Sequence, residues 1–167
     1  MKELVRKAQQ QDADAFIQLI EMHKEGMYKI ARSYLKCDAD IADVMQETIM
    51  DSFEKIHTLQ NPKYFKTWMI RILINNCNDI IRKGKNVCSL EHIDNVEWEA
   101  PQEDLVEFQE LLDSIDEKYR TILILYYVEG YKIKEIAQLL DMNESTVNSR
   151  LRRSRMMLKK ESQNALI

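Results

Sequence analysis

Three Gly and two Pro in a chain of 167 residues leave little room for anything but helices. The usual share of these two types is about 12%. Every β-hairpin needs turn residues at its reversal, so an all-β fold is almost excluded. The length suits one ordinary domain or two small ones. No run approaches the roughly 18 to 20 apolar residues of a membrane span. The opening, MKELVRKAQQQDADAF, lacks an apolar core followed by a small-residue cleavage site, which reads against a secretory signal. Cys37, Cys77 and Cys88 are odd in number and form no CxxC pair, which points to a reducing cytosol. His23, His57 and His92 have no metal-ligand spacing, so no metal site is expected.

Apolar residues recur in steps of three and four. Phe16, Leu19, Ile20, His23, Met27, Ile30, Ala31, Tyr34 and Leu35 predict one amphipathic helix over residues 12–36. Ile41, Val44, Met45, Thr48, Ile49, Phe53 and Ile56 predict a second. Asn61-Pro62 marks a turn. A third helix over 63–83 places Phe65, Trp68, Met69, Ile72, Leu73 and Ile80 on its core side. Residues 84–102 show no sustained period and read as a linker. A further helix begins near Glu103, with Leu105, Val106, Phe108, Leu111, Leu112 and Ile115 on one face. The run TILILYYV at 121–128 has strand composition but no partner strand, so it reads as a buried helix ended by Gly130. The expected fold is all-α, with two small helical domains at 1–83 and 103–167.

The net charge of −4 hides strong blocks. Residues 63–85 carry six basic groups against Asp79 alone, residues 86–117 carry eleven acids and no Lys or Arg, and residues 145–160 carry six basic groups and no acid. Two basic segments separated by an acidic one suggest two places that meet a polyanion.

The second basic segment has a specific context. Ile133, Ile136, Ala137 and Leu140 give one short helix an apolar face, and Asp141-Met142-Asn143 makes a three-residue turn. Asn143 is a suitable N-cap for a second helix whose buried side is Val147, Leu151 and Leu158. This is a helix-turn-helix pattern. At 100° per residue the opposite face shows Ser145, Asn148, Ser149, Arg152 and Arg153. Short polar groups followed by guanidinium groups suit base edges in a major groove, while Arg150, Arg155 and Lys159 at the flanks suit phosphates. The plainer reading is an amphipathic helix with a basic solvent face.

In the first basic segment Arg71, Asn75, Asn78 and Arg82 fall at i, i+4, i+7 and i+11, one polar stripe opposite the apolar face. Asn is a poor helix former, and its concentration here suits bases and phosphates better than it suits stability; a tolerated polar face is the alternative. Asp43, Glu47, Asp51 and Glu54 form an acidic stripe on the preceding helix, which fits a basic protein partner or plain solvation.

At this point the sequence resembles a known family. Asp43-Val-Met-Gln-Glu-Thr48 is similar to the motif by which bacterial sigma factors dock on the coiled coil of the β′ subunit of RNA polymerase. Phe65-Lys-Thr-Trp-Met-Ile-Arg-Ile72, with the Asn-rich helix ending Asp79-Ile-Ile-Arg-Lys83, resembles the segment that opens and reads the promoter −10 element. Residues 131–160 resemble the helix-turn-helix that reads the −35 element. With two domains the chain looks like an extracytoplasmic-function (ECF) member of the sigma-70 family.

The resemblance implies polymerase docking through Asp43, Gln46 and Glu47, and −10 contacts through Asn75, Asn78, Asp79 and Arg82, to which the polar stripe adds Arg71. It implies −35 contacts through Thr146, Asn148, Ser149, Arg150, Arg152 and Arg153, with Ser145 added by the face read above, and capture of a flipped base by the loop Thr58–Lys63. Residues 84–102 would be the family's acidic linker. The family often has Gly where this chain has Asp141, and Asp tolerates left-handed geometry at modest cost. The implied partners are core RNA polymerase, through its β′ coiled coil and β flap, promoter DNA and a membrane-anchored anti-sigma factor. The implied location is the bacterial cytoplasm, with the anti-sigma factor able to hold the protein at the membrane. No catalytic residue, cofactor or small-molecule substrate is expected. A competing reading is a helix-turn-helix regulator that dimerises through residues 1–83 and binds duplex DNA unaided. A hydrolase or metalloenzyme has little support, since no His/Cys/carboxylate cluster or Gly-rich phosphate loop is present.

Overall fold

The computed structural model describes residues 1–84 and 114–164, with side chains through Lys159. The expected helix at Leu105–Leu112 and the linker beyond Gly84 lie outside the described residues, as do Cys88 and His92. All regular structure among the described residues is helical. The chain divides into two compact units, residues 1–98 and 99–167.

The first unit opens with a helix that periodicity did not reveal, α1 (Lys2–Gln9), which buries Val5 and Ala8. Gln11, at φ +67°, reverses the chain. Asp12 then caps α2 (Ala13–Glu21) by accepting from the Ala15 amide at 3.0 Å. The single helix expected over 12–36 is two, α2 and α3 (Lys24–Tyr34), broken at Met22-His23. His23 leaves helical geometry (φ −122°, ψ −8°). Its ring lies 5.9 Å from that of Phe65, and a Glu21–Lys24 ion pair spans the break. The apolar phase hides this break because both helices bury their stripes, Phe16, Leu19 and Ile20 on α2 and Met27, Tyr28, Ile30 and Ala31 on α3.

Helix α4 (Asp38–Lys55) buries Ile41, Val44, Met45, Thr48 and Ser52. A 3-10 turn (Ile56–Thr58) and a second (Pro62–Tyr64) lead into α5 (Phe65–Arg82). Asn61 starts the second turn by accepting from the Lys63 amide at 3.0 Å, with Pro62 in the first position, where a missing N–H costs nothing. The core side of α5 is Phe65, Met69, Ile70, Leu73, Ile74, Asn76, Cys77 and Ile80. This is rotated from the expected side, so Trp68 and Ile72 are half-buried at its edge. Burial pushes the Cys77 thiol up to about 12, which leaves it an unreactive packing group.

Asn76 belongs to this buried side. Its side-chain amide donates to Thr48 Oγ1 at 3.2 Å and to Asp51 Oδ2 at 3.1 Å, tying α5 to α4 through a buried polar contact. Lys55 completes the group by pairing with Asp51. The Lys55 ammonium foremost holds the Asp51 carboxyl below the usual carboxylate range, outweighing the opposing effect of burial, and the Asn76 amide adds a smaller push in the same direction as Lys55. Replacing Asn76 with Leu leaves the fully buried Thr48 hydroxyl without this partner, at an expected cost of about 1–3 kcal/mol. Urea unfolding should show it. The contribution of Asp51 is present above its unfolded value, near 4, and is lost as pH falls through the lowered folded value. The gap between wild type and Asp51→Asn should therefore close in acid.

In the second unit Asp116 caps α6 (Glu117–Leu123). The helix continues as a π-helical turn (Ile124–Val128). The expected buried helix at 121–128 is buried only through Leu125; Tyr127 and Val128 are exposed. The end is closed by the Tyr131 amide donating back to the Leu125 carbonyl at 2.9 Å, around Gly130 at φ +72°. Only glycine adopts that conformation without strain. Helix α7 (Ile133–Leu139) starts where the Glu135 carboxylate accepts from the Lys132 amide at 2.8 Å. Its buried residues are Ile136, Ala137 and Leu139, with Leu140 half-buried. The turn passes through Asp141 at φ +50°, a left-handed position that Asp tolerates at modest cost. Helix α8 (Glu144–Asn164) packs on α6 and α7. It buries Val147, Leu151 and Ser154, while Leu158 is half-buried.

Candidate functional site

Three exposed surfaces hold the residues singled out in the sequence. On α4, Asp43, Gln46 and Glu47 are all exposed. Their spacing of three and four places them on one surface. Glu54 continues that surface. Asp51 does not, because Asn76 and Lys55 engage it, and this narrows the expected acidic stripe. Sequence reading missed Met50, which is 66% exposed in the middle of the same face. Its only sequence signal is its position, four residues after Gln46.

On α5, Arg71, Asn75, Asn78 and Arg82 are exposed, and helical spacing puts them on one side. Asp79 is half-exposed and pairs with Arg82, which offsets part of the positive charge at that end. Trp68 and Ile72 border the stripe. Ahead of it, Thr58, Gln60, Asn61 and Lys63 are exposed while Leu59 is buried beneath them. Of the three aromatics here, Phe65 is core, Trp68 is half-buried 6.1 Å from it, and Tyr64 is 54% exposed.

On α8 the N-terminus is built around Asn143. Its Oδ1 accepts from the Thr146 amide at 2.8 Å and from the hydroxyls of Ser145 and Thr146 at 2.7 Å each. Those hydroxyl protons are committed to the cap, so toward a ligand both groups act as acceptors. Ser149 donates to the Thr146 carbonyl at 3.0 Å. Asn148, Ser149, Arg152 and Arg153 are exposed beyond it. Arg150 turns the other way, with its Nη1 reaching the Lys118 carbonyl at 3.4 Å. Arg155 lies over the rings of Tyr126 and Tyr127, 5.9 and 5.7 Å from their centroids, and its Nε donates to the Tyr127 hydroxyl. Met156, 65% exposed, extends the line of Ser149 and Arg152.

This arrangement offers acceptors, amides and guanidinium groups on two helices but no paired nucleophile and base. Among the described residues no group of His, Cys, Asp and Glu could hold a metal ion. No helix there is long and apolar enough to cross a membrane.

Comparison with known proteins identifies the family. Residues 19–87 match the family model of sigma-70 region 2, and residues 105–158 match that of sigma-70 region 4. RNA polymerase sigma factor SigV of Bacillus subtilis is 33% identical over 136 residues, covering 79% of this chain and 81% of that protein. ECF RNA polymerase sigma factor SigW of the same organism is 25% identical, covering 96% of each. Among solved structures, CnrH in complex with the cytosolic domain of CnrY gives a TM-score of 0.71 at 22% identity, over 98% of this chain and 97% of that one. The sigma factor RpoE of Bartonella quintana, in complex with the anti-sigma factor NepR, gives 0.69 at 22% identity, over 87% and 94%. Both show the same fold. The chain belongs to the sigma-70 family of RNA polymerase sigma factors, in its extracytoplasmic-function branch.

Proposed function

We propose that the protein binds core RNA polymerase through the α4 face, reads the −35 element with α8, and reads and helps open the −10 element with α5 and the loop Thr58–Lys63. Asp43, Gln46 and Glu47 serve docking. Arg71, Asn75, Asn78, Asp79 and Arg82 serve the −10 element, and Ser145, Thr146, Asn148, Ser149, Arg150, Arg152 and Arg153 the −35 element. Residues 84–102 join a docking and −10 domain at 1–83 to a −35 domain at 103–167. The observation that carries this reading is that the exposed Arg-Asn stripe of α5 and the capped, basic face of α8 fall within the stretches matching regions 2 and 4. The protein acts as a specificity subunit and catalyses no reaction of its own. Opening needs no ATP: polymerase contacts and the trapping of unpaired bases offset an unstacking cost of a few kcal/mol per base. Its regulator is an anti-sigma factor anchored in the membrane, which holds the protein at the inner face of that membrane until a signal releases it. The RpoE–NepR complex above supports the anti-sigma partner.

Run-off transcription with core polymerase on fragments of the source genome tests the assignment. Transcripts should require both components, whereas a self-sufficient regulator would shift duplex DNA alone. In the same assay Asn75→Ala with Asn78→Ala should leave polymerase association near wild type and reduce permanganate-reactive open complex on duplex templates. A premelted −10 bubble should restore part of the activity. Normal opening on duplex DNA would make the stripe a solvated surface only.

A further inference from the structure

Helix α1 precedes the stretch that matches the region 2 family model, which begins at residue 19. Nothing in the proposed reading uses it. It nevertheless carries two long-range hydrogen bonds onto the connection between α4 and α5. Gln9, half-buried at the end of α1, donates from Nε2 to the Ile56 carbonyl at 3.2 Å and to the Leu59 carbonyl at 2.7 Å. A primary amide has two N–H donors, so one side chain serves both acceptors.

The two carbonyls bracket the place where the chain leaves α4. Carbonyls at a helix end lack the usual i+4 amide and take other partners: the Ile56 carbonyl also accepts from the Leu59 amide at 3.2 Å, and Gln9 adds a long-range bond to each of the two. Ile56 and Leu59 are themselves anchored, with 0% and 8% of their surface exposed. From Leu59 the chain emerges through exposed Gln60 and Asn61 into the turn at Pro62–Tyr64. Gln9 therefore fixes the point and direction of emergence. The exposed residues hang from it, tied otherwise by short-range bonds such as Thr58 Oγ1 to the Lys55 carbonyl at 2.7 Å and the Asn61 cap.

We propose that Gln9 is a positioning residue for base capture: its two hydrogen bonds hold the loop Thr58–Lys63 in the shape that selects one unpaired base of the −10 element. The inference rests on the loop reading given above and adds to it a residue on a different helix. Its chemistry is specific. A Glu at position 9 has the size of Gln but, when ionised, only accepts, and it would face two carbonyl oxygens. A Lys at position 9 keeps a donor on a stem of similar reach.

The test uses holoenzyme assembled from the full chain and core polymerase, presented with a pool of single-stranded oligonucleotides of randomised sequence. Retained strands are sequenced, and enrichment is read position by position. Wild type should prefer one base at a position that Asn61→Ala and Lys63→Ala both flatten. Gln9→Glu should reduce enrichment at that same position about tenfold, as expected for a lost, fully opposed pair of hydrogen bonds, and leave the other positions unchanged. Gln9→Lys should retain the preference. If the loop variants flatten the position and Gln9→Glu does not, the role of Gln9 is overturned and the loop reading stands. If neither the loop variants nor Gln9→Glu change any position, the loop reading falls and this inference with it. Equal loss at every position, accompanied by a lower melting temperature, makes Gln9 a stability residue only and also overturns the proposal.

Discussion

Reversing Asp43 and Glu47 to Lys is expected to abolish association with core polymerase while the protein stays folded. Both side chains are exposed on α4, one turn apart, and the helix packs through Ile41, Val44, Met45, Thr48 and Ser52 instead. Exposed substitutions of this kind usually change stability by no more than about 0.5 kcal/mol. An interface built for acidic groups responds far more strongly, because juxtaposed like charges cost several kcal/mol, and every 1.4 kcal/mol is about tenfold in affinity. Two reversals should weaken binding by more than about a hundredfold. Gel filtration of the variant with core polymerase measures the loss, and circular dichroism checks the fold. Unchanged co-elution would remove α4 from the docking surface. Met50, at the centre of the same face, should weaken binding on substitution by Ala without any change in salt dependence, since it adds contact area and no charge.

Arg152→Ala carries the second large effect. Arg152 lies on the exposed side of α8 beyond Asn148 and Ser149, where an arginine can reach base edges. A base-reading arginine contributes about 1–3 kcal/mol of discrimination. The variant should therefore lose roughly ten- to a hundredfold in preference at one or two positions of the −35 element while still using many promoters weakly. Arg155→Ala should act differently. It should weaken all promoters alike and lower the salt slope by about one, the mark of a phosphate contact. Sequencing transcripts from a promoter library mutated across −35, at two salt concentrations, separates the two outcomes. If Arg152→Ala leaves promoter choice unaltered, the face of α8 has been assigned incorrectly.

Periodicity located most of the helices because a buried stripe repeats along one element. It carried the exposed stripe of α5 correctly, since Arg71, Asn75, Asn78 and Arg82 need only helical spacing to share a side. It could not show that Asn76 faces inward among them. An Asn in a polar run reads as polar surface until Thr48 and Asp51, more than twenty residues away, are brought to it. The break at Met22-His23 was hidden for the opposite reason, because the apolar phase passes through it intact. Helix α1 has only two buried residues, too few to establish a period. Gln9 has no local signal, since its acceptors lie 47 and 50 residues on. Asn143 was legible because a cap is a local device, whereas the return of Arg150 toward α6 is tertiary.

The seat of Arg155 on Tyr126 and Tyr127 bears on kinetics as well as on contact. A long, flexible cation normally loses rotamer freedom when it grips an anion, at a cost of about 0.5–1.5 kcal/mol. Here the guanidinium already rests against two rings and donates to the Tyr127 hydroxyl. A phosphate arriving at that edge of α8 would meet a cation already in place, so capture there should be fast and the complex slow to come apart. Converting Tyr127 to Ala would return the arm to its full range of conformations. The expected signature is a higher dissociation rate from duplex promoter DNA in the polymerase complex, with the order of preference among promoters preserved.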